Sequence, residues 1–140
     1  FNHSGVGHGE SYLLPTLVRR SRQLPKNGGT LTIGNGDVIR DYLHVSDVVA
    51  AYLLLLDTGT PGEVYNVCSG AGMTVRELAG RVLERMGLRA DVASEASLLR
   101  PIDVPILVGD STKIRAHVGW APTRPLDDCI HDLVRHAEAH

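Results

Sequence analysis

Cysteine is scarce in this sequence, with only Cys68 and Cys129 among 140 residues. The two lie far apart and lack the short spacing of metal ligands, so we expect reduced, structural thiols. The seven histidines form no His-Glu-x-x-His motif, and we expect no metal site. Reduced thiols are typical of a cytoplasmic protein, and we expect that location here.

An excess of one charge and a long hydrophobic run are also missing. The net charge is −2, which gives no support to binding of nucleic acid or of a membrane surface by electrostatics. The most apolar run, Leu53 to Leu56, is too short to span a bilayer, and no signal-like segment precedes it. With 43% hydrophobic residues, and with neither repeats nor a low-complexity linker, the chain is typical of one globular unit.

Helical and strand-like patterns alternate along the chain, which indicates an α/β fold. Strands are predicted over residues 30–33, 63–68 and 90–93, and residues 97–110 should be mostly extended. Thr74 and Glu77 have the spacing of a capping box, and Trp120 should be core. Helices are predicted over residues 11–23, 47–56, 74–86 and 111–119 and from Pro125 onward.

The stretch from Asp37 to Leu56 places charged residues directly before the most apolar helix. We expect Ser46 to cap that helix and most of its sides to be buried. Arg40 precedes it, and a guanidinium at such a position suits an anionic ligand because it offers parallel donors to phosphate. The alternative is an ion pair of Arg40 with Asp41 or Asp47 that stabilises a loop.

The first residues contain glycines but not a dinucleotide-binding loop. In Gly5-Val6-Gly7-His8-Gly9 the Gly-x-Gly-x-x-Gly spacing fails at Glu10, and no apolar strand precedes it. Asn2 is a candidate contact for a phosphate or a sugar, or alternatively an ordinary turn residue. The arginines at 19, 20 and 22 are interpreted as the solvated end of a helix rather than a binding patch.

Four motifs occur in an order that resembles one family. They are Phe1-Asn2-His3, the stretch Arg40-Asp41-Tyr42-x-His44-Val45-x-Asp47, the stretch from Gly62 to Gly70, and Arg100-Pro101-x-Asp103-Val104-Pro105. Together they resemble the nucleotide-sugar branch of the extended short-chain dehydrogenases/reductases. Within this epimerase/dehydratase family, the GDP-mannose 4,6-dehydratase and GDP-4-keto-6-deoxymannose reductase type is most similar. The resemblance runs from Phe1 to about Leu133.

The resemblance implies a particular part of that fold. It is the C-terminal, substrate-binding region: a late Rossmann strand and helix plus a small α/β lobe, without the N-terminal cofactor half. Residues 1–140 would form this region, and residues 47–69 would pack with the other half. NAD or NADP would be bound mainly by that half.

The chain also lacks the catalytic Tyr-x-x-x-Lys pair that the resemblance implies for the whole enzyme. Its four tyrosines are followed four positions later by Thr16, Ser46, Leu56 and Ser69. We therefore expect no catalytic residue here and no activity of this chain on its own.

A GDP-sugar is the partner implied by the resemblance. Asn2 would contact its phosphates, Arg40 its diphosphate, and Arg100 the diphosphate or ribose, while Asp103 would accept from ribose hydroxyls. Thr16 stands where the dehydratases usually carry a lysine. The substrate-binding positions implied are Asn2, Leu14, Thr16, Arg40, Arg100 and Asp103, with Leu14 near the base.

Two departures from the dehydratases favour the reductase. The link from Ala90 to Arg100 is short, and Asp41-Tyr42 replaces their usual Asp-Trp. A dehydratase or an epimerase stays open, as do a non-catalytic nucleotide-sugar-binding module and a purely structural fragment. We also expect a homo-oligomer, or association with an N-terminal half.

Overall fold

The computed structural model describes residues 1–99 and 103–139, and the predicted α/β class is confirmed. The strands are β1 (Asn2–Ser4), β2 (Thr30–Ile33), β3 (Ile39–His44), β4 (Gly72–Thr74), β5 (Asp91–Ser94) and β6 (Ile106–Leu107). The helices are α1 (Leu13–Arg22), α2 (Val45–Thr58), α3 (Val75–Arg85), α4 (Thr112–Val118) and α5 (Leu126–Ala139), and a 3-10 turn spans Ala96–Leu98.

Strand β3 is the centre of the main sheet. Its C-terminal half pairs in parallel with β1, aligning Asn2 with Tyr42. Its N-terminal half pairs with β4 in antiparallel and with β6 in parallel orientation. A separate parallel pair joins β2 to β5. The sequence patterns predicted β2 and β5 but none of β1, β3, β4 or β6.

The larger of two apolar cores lies among three helices and the β2–β5 pair. As predicted, α1, α3 and α5 turn their apolar stripes inward. The buried members of this core are Leu14, Leu17, Val18, Leu31, Ile33, Val38, Val75, Leu78, Ala79, Val82, Leu83, Cys129, Ile130, Leu133 and Val134. At roughly 1.5–3 kcal/mol for each large side chain, burial of this set dominates the stability of the fold.

The sequence patterns correctly predicted the start of α3 and the burial of Trp120. Thr74 and Glu77 form the predicted capping box, in which each side chain binds the other residue's backbone N–H. Trp120 is buried as predicted in a second, smaller core with Leu43, Val48, Ala51 and Ile114. Its indole nitrogen donates to the Asp47 carbonyl at 3.1 Å.

Both cysteines are buried and unpaired, as expected for structural thiols. Burial raises the pKa of the Cys129 thiol to about 11, which keeps it protonated. Within residues 1–99 and 103–139, no helix combines the length and apolarity that a membrane crossing requires.

Two predictions for α2 were wrong. The cap is His44 rather than Ser46, because the helix begins at Val45 and the His44 ring accepts from the Ser46 N–H at 3.1 Å. The helix is also not buried on most sides. Only Asp47, Val48 and Ala51 are buried, whereas one whole face is exposed: Val49 (50%), Tyr52 (58%), Leu53 (64%) and Leu56 (85%).

The predicted buried strand over residues 63–68 is wrong for the described part of the chain. This segment pairs with no strand there, and Val64 is 79% exposed. Its β-branched composition favours extended backbone, but a strand also needs a neighbour whose N–H and C=O groups complete the ladder. Cys68, at its end, is fully buried.

Asp41 joins β3 to two segments that are distant in sequence. Its buried carboxylate accepts from the Ser69 N–H (2.9 Å) and hydroxyl (2.6 Å), the Gly70 N–H (2.9 Å) and the Gly109 N–H (3.2 Å). These charge-assisted bonds hold the residues after Cys68 and those after β6 against the same point of β3. A buried carboxylate with four donors is a site where one substitution has a large effect.

We predict that Asp41→Asn lowers the free energy of unfolding by about 2–4 kcal/mol, because an amide offers one acceptor oxygen and brings its own N–H groups toward buried donors. Urea denaturation measures the change. Asp37→Asn is the matched control, since that side chain is 90% exposed, and it should stay within about 0.5 kcal/mol of the parent. Overlapping curves for the two variants would contradict the assigned role of Asp41.

Candidate functional site

The alternation of side chains along β3 builds one wall of a cleft. Arg40 and Tyr42 face the cleft, while Asp41 and Leu43 point to the opposite side and are buried. The buried network of Asp41 therefore supports the strand at the position where Arg40 enters the cleft. The cleft has a volume of about 680 Å³.

Four of the six predicted substrate-binding residues line this cleft. Asn2 comes from β1, Thr16 from α1, Arg40 from β3, and Asp103 from the segment before β6. The fold thus brings together side chains from four separate parts of the chain. The Thr16 hydroxyl donates to the Glu10 carbonyl at 2.7 Å, which holds the loop before α1 against the helix.

Arg40 is held by three acceptors of the protein. Nη1 donates to the Ile39 carbonyl at 2.8 Å and to the Val104 carbonyl at 2.7 Å, and Nη2 pairs with the Asp103 carboxylate. The ion pairs of Arg40 with Asp41 or Asp47 that the sequence left open are wrong. Both carboxylates are engaged elsewhere, Asp47 with the Thr123 hydroxyl and backbone N–H groups of the segment before α5.

Asn2 places an amide inside the cleft. Its Nδ2 is buried and has no hydrogen-bond partner among the described residues. A buried N–H₂ without a partner is costly, so it is a ready donor for an oxygen that enters the cleft. The alternative role of Asn2 as a turn residue does not hold, because it lies in β1, paired with Tyr42.

Two of the predicted positions are not part of this cleft as described. Leu14 is fully buried and lines a smaller adjoining pocket of about 230 Å³, together with Asn2, His8 and Tyr12. Arg100 lies outside the described residues, so its contact with the diphosphate or ribose stays a prediction.

The cleft also contains charged residues that the sequence did not predict. Arg19 and Arg20 line it, whereas they were interpreted as a solvated helix end. The Arg20 guanidinium donates to the Thr32 carbonyl at 2.8 Å, and Arg19 lies 3.6 Å from the carboxylate of Glu10. No local pattern could have found this contact, because Arg20 and Thr32 are 12 residues apart and meet only through the fold.

An aromatic pair lines the smaller pocket that adjoins the cleft. The Tyr12 ring stacks on His8 with centroids 3.9 Å apart, and the Ser4 hydroxyl lies 3.1 Å from the His8 ring nitrogen. Burial, with a smaller contribution from His3, lowers the pKa of His8, so this ring is uncharged at neutral pH. Tyr12 lines both the main cleft and the smaller pocket.

The lining has a net positive charge and suits an anionic ligand that also carries hydroxyl groups. Three arginines face two carboxylates, those of Glu10 and Asp103, and the Asn2 amide adds a neutral donor. Guanidinium groups bind phosphate oxygens with parallel donors, and carboxylates accept from hydroxyls. Residues 1–99 and 103–139 contain no group of three or more side chains that could hold a metal ion.

Known proteins resemble this chain over most of its length. The family model described as GDP-mannose 4,6 dehydratase matches residues 1–133. The GDP-6-deoxy-D-mannose reductase of Pseudomonas aeruginosa is 32% identical over 124 residues, which cover 87% of this chain and 41% of the reductase.

Solved structures agree with that match. RMD from Pseudomonas aeruginosa complexed with NADPH superposes with a TM-score of 0.84 at 28% identity, over 99% of this chain and 46% of that one. MoeE5 in complex with UDP-glucuronic acid and NAD gives 0.84 at 25% identity, over 99% and 45%. This chain therefore spans less than half the length of the proteins it matches.

Proposed function

This chain belongs to the GDP-mannose 4,6-dehydratase family of nucleotide-sugar-modifying proteins, and we propose that it forms the GDP-sugar-binding portion of an NAD(P)-dependent oxidoreductase. The observation that carries the proposal is the convergence of Asn2, Thr16, Arg40 and Asp103 on one cleft. These residues come from four separate parts of the chain, yet they are the ones that a diphosphate and a ribose would need.

The role of each residue follows from its chemistry. Arg40 would bind the diphosphate, the unpaired Asn2 amide would donate to a phosphate oxygen, and Asp103 would accept from ribose hydroxyls. The nicotinamide cofactor supplies the hydride when it is bound, and the proposal places it mainly on the N-terminal half. The chain's own residues hold and orient the nucleotide.

For the reaction we propose the reductase, acting on GDP-4-keto-6-deoxymannose. The short link before Arg100 and the Tyr at position 42 support it, as does 32% identity to a GDP-6-deoxy-D-mannose reductase. The family match equally includes the dehydratase, which is the second candidate. A non-catalytic module that binds nucleotide-sugars is the third, favoured by the absence of a Tyr-x-x-x-Lys pair from this sequence.

We predict that Arg40→Ala weakens GDP binding by about 1.5–3 kcal/mol, the range for a hydrogen bond to a charged group. Isothermal calorimetry with the complete protein measures it. Arg81→Ala is the matched control, because it also removes an arginine that pairs with an aspartate, here Asp127 at 2.7 Å. Arg81 lies outside the cleft. Unchanged GDP affinity in Arg40→Ala would refute the diphosphate assignment.

The reductase and the dehydratase differ in their use of reducing equivalents. We predict that the complete protein oxidises one NADPH or NADH for each GDP-4-keto-6-deoxymannose reduced, followed by absorbance at 340 nm. Conversion of GDP-mannose without net consumption of the cofactor would identify a dehydratase instead. Binding of GDP without turnover of either sugar would identify a binding module.

We further propose that residues 47–69 pack against the N-terminal half. The exposed face of α2, formed by Val49, Tyr52, Leu53 and Leu56, is apolar. Residues 63–68 after it pair with no strand in the described part of the chain. Exposed apolar patches and open strand edges are the usual places where another chain or domain binds.

We predict that the 140-residue chain, purified alone, associates through the same surfaces, because each covered Leu or Val contributes roughly 1.5–3 kcal/mol. Analytical ultracentrifugation at micromolar concentration tests this. The variant with Leu53→Glu and Leu56→Glu removes the apolar face without touching a buried residue, and it should sediment as a monomer. A stable parent monomer with cooperative unfolding would contradict the assignment.

A further inference from the structure

Arg40 and Asp103 form the best-shielded ion pair in the cleft. The side chain of Arg40 is 13% exposed and that of Asp103 is 17% exposed, whereas the Arg19–Glu10 pair is 40% and 76% exposed. Shielding from water strengthens the attraction between two charges, so Asp103 neutralises much of the charge that Arg40 presents.

The three acceptors of Arg40 fall into two kinds. The Ile39 and Val104 carbonyls bind only Nη1, and both belong to the backbone of β3 or of the segment before β6. Asp103 is the one charged acceptor, and it binds Nη2. If the Asp103 carboxylate dissociated from Nη2, the Ile39 and Val104 carbonyls would still hold the guanidinium in place. Nη2 and Nε would then offer a full pair of parallel donors, which is the geometry that phosphate prefers.

Asp103 is the partner that can move. Arg40 lies on a strand whose backbone is paired with β4 and β6, whereas Asp103 lies on the irregular segment before β6. A change of side-chain rotamer at Asp103 therefore requires no rearrangement of the sheet. Exchange of one anion for another at Nη2 is accessible at low cost.

We propose that Asp103 competes with the diphosphate for Arg40, so that the carboxylate and the phosphate oxygens bind the guanidinium in alternation. The proposal rests on the function proposed above and deepens it. It makes Asp103 a positioning residue that sets how strongly the cleft attracts anions. It also gives the released carboxylate a second task, since it is then available to accept from the hydroxyls of a ribose.

Competition and ribose binding predict different responses to the loss of the Asp103 charge. A carboxylate that only accepts from ribose affects inorganic pyrophosphate, which has no ribose, through general charge repulsion alone, and that effect does not depend on Arg40. A carboxylate that competes for Arg40 weakens the binding of pyrophosphate, and removal of that carboxylate strengthens the binding. Calorimetry of the complete protein with inorganic pyrophosphate and with GDP separates the two.

We expect Asp103→Asn to lower the Kd for pyrophosphate about threefold to tenfold, as removal of a partly shielded counter-charge should. Asp103→Glu should restore the parental value. The control Asp127→Asn changes the net charge equally and also frees an arginine, but outside the cleft, and it should change the Kd less than about twofold. Asp103→Ser is the second neutral variant if Asp103→Asn folds poorly by circular dichroism.

A double-mutant cycle tests whether Asp103 acts through Arg40. With Arg40→Ala in the background, Asp103→Asn should lose most of its effect on pyrophosphate. If Asp103→Asn leaves pyrophosphate binding unchanged or weaker, or if its gain persists without Arg40, the competition is refuted. The proposed function survives that result as long as the parent protein binds GDP. A parent that binds neither ligand refutes both.

Discussion

The buried carboxylate of Asp41 is the constraint on which the cleft depends. Its four hydrogen bonds fasten two loops to the middle of β3. Because side chains alternate along a strand, Arg40 and Tyr42 must then face the other way. One residue thus gives the strand a buried face rich in hydrogen bonds, and the opposite face carries the cation into the cleft. A guanidinium held by its own strand in this way loses little entropy on binding an anion.

Helices with complete local signals could be predicted from the sequence. The capping box of Thr74 and Glu77 and the inward stripes of α1, α3 and α5 depend on residues three and four positions apart. Strand β3 could not be predicted, because charged residues interrupt its alternation. Asp41 and Arg40 hide it, and its stability comes from partners that are distant in the sequence.

Helix α2 and the cleft show a second limit of structure prediction from local sequence patterns. The spacing of Val49, Tyr52, Leu53 and Leu56 correctly indicates an apolar helix face, but spacing carries no information about what covers that face. The resemblance to a family supplied the cleft residues, not their contacts. The Arg40–Asp103 pair joins positions 63 apart, and no local rule favours it over Asp41 or Asp47.

The two apolar cores support different surfaces of the chain. Side chains of the larger core also form the floor of the cleft: Leu17, Ile33, Val38 and Val75. The exposed face belongs to α2, which packs on the smaller core. The cleft is therefore supported by the part of the fold that is already well packed, and the surfaces that lack cover lie on the other part. It follows that a ligand bound in the cleft would be held mainly by groups within the well-packed part of this chain.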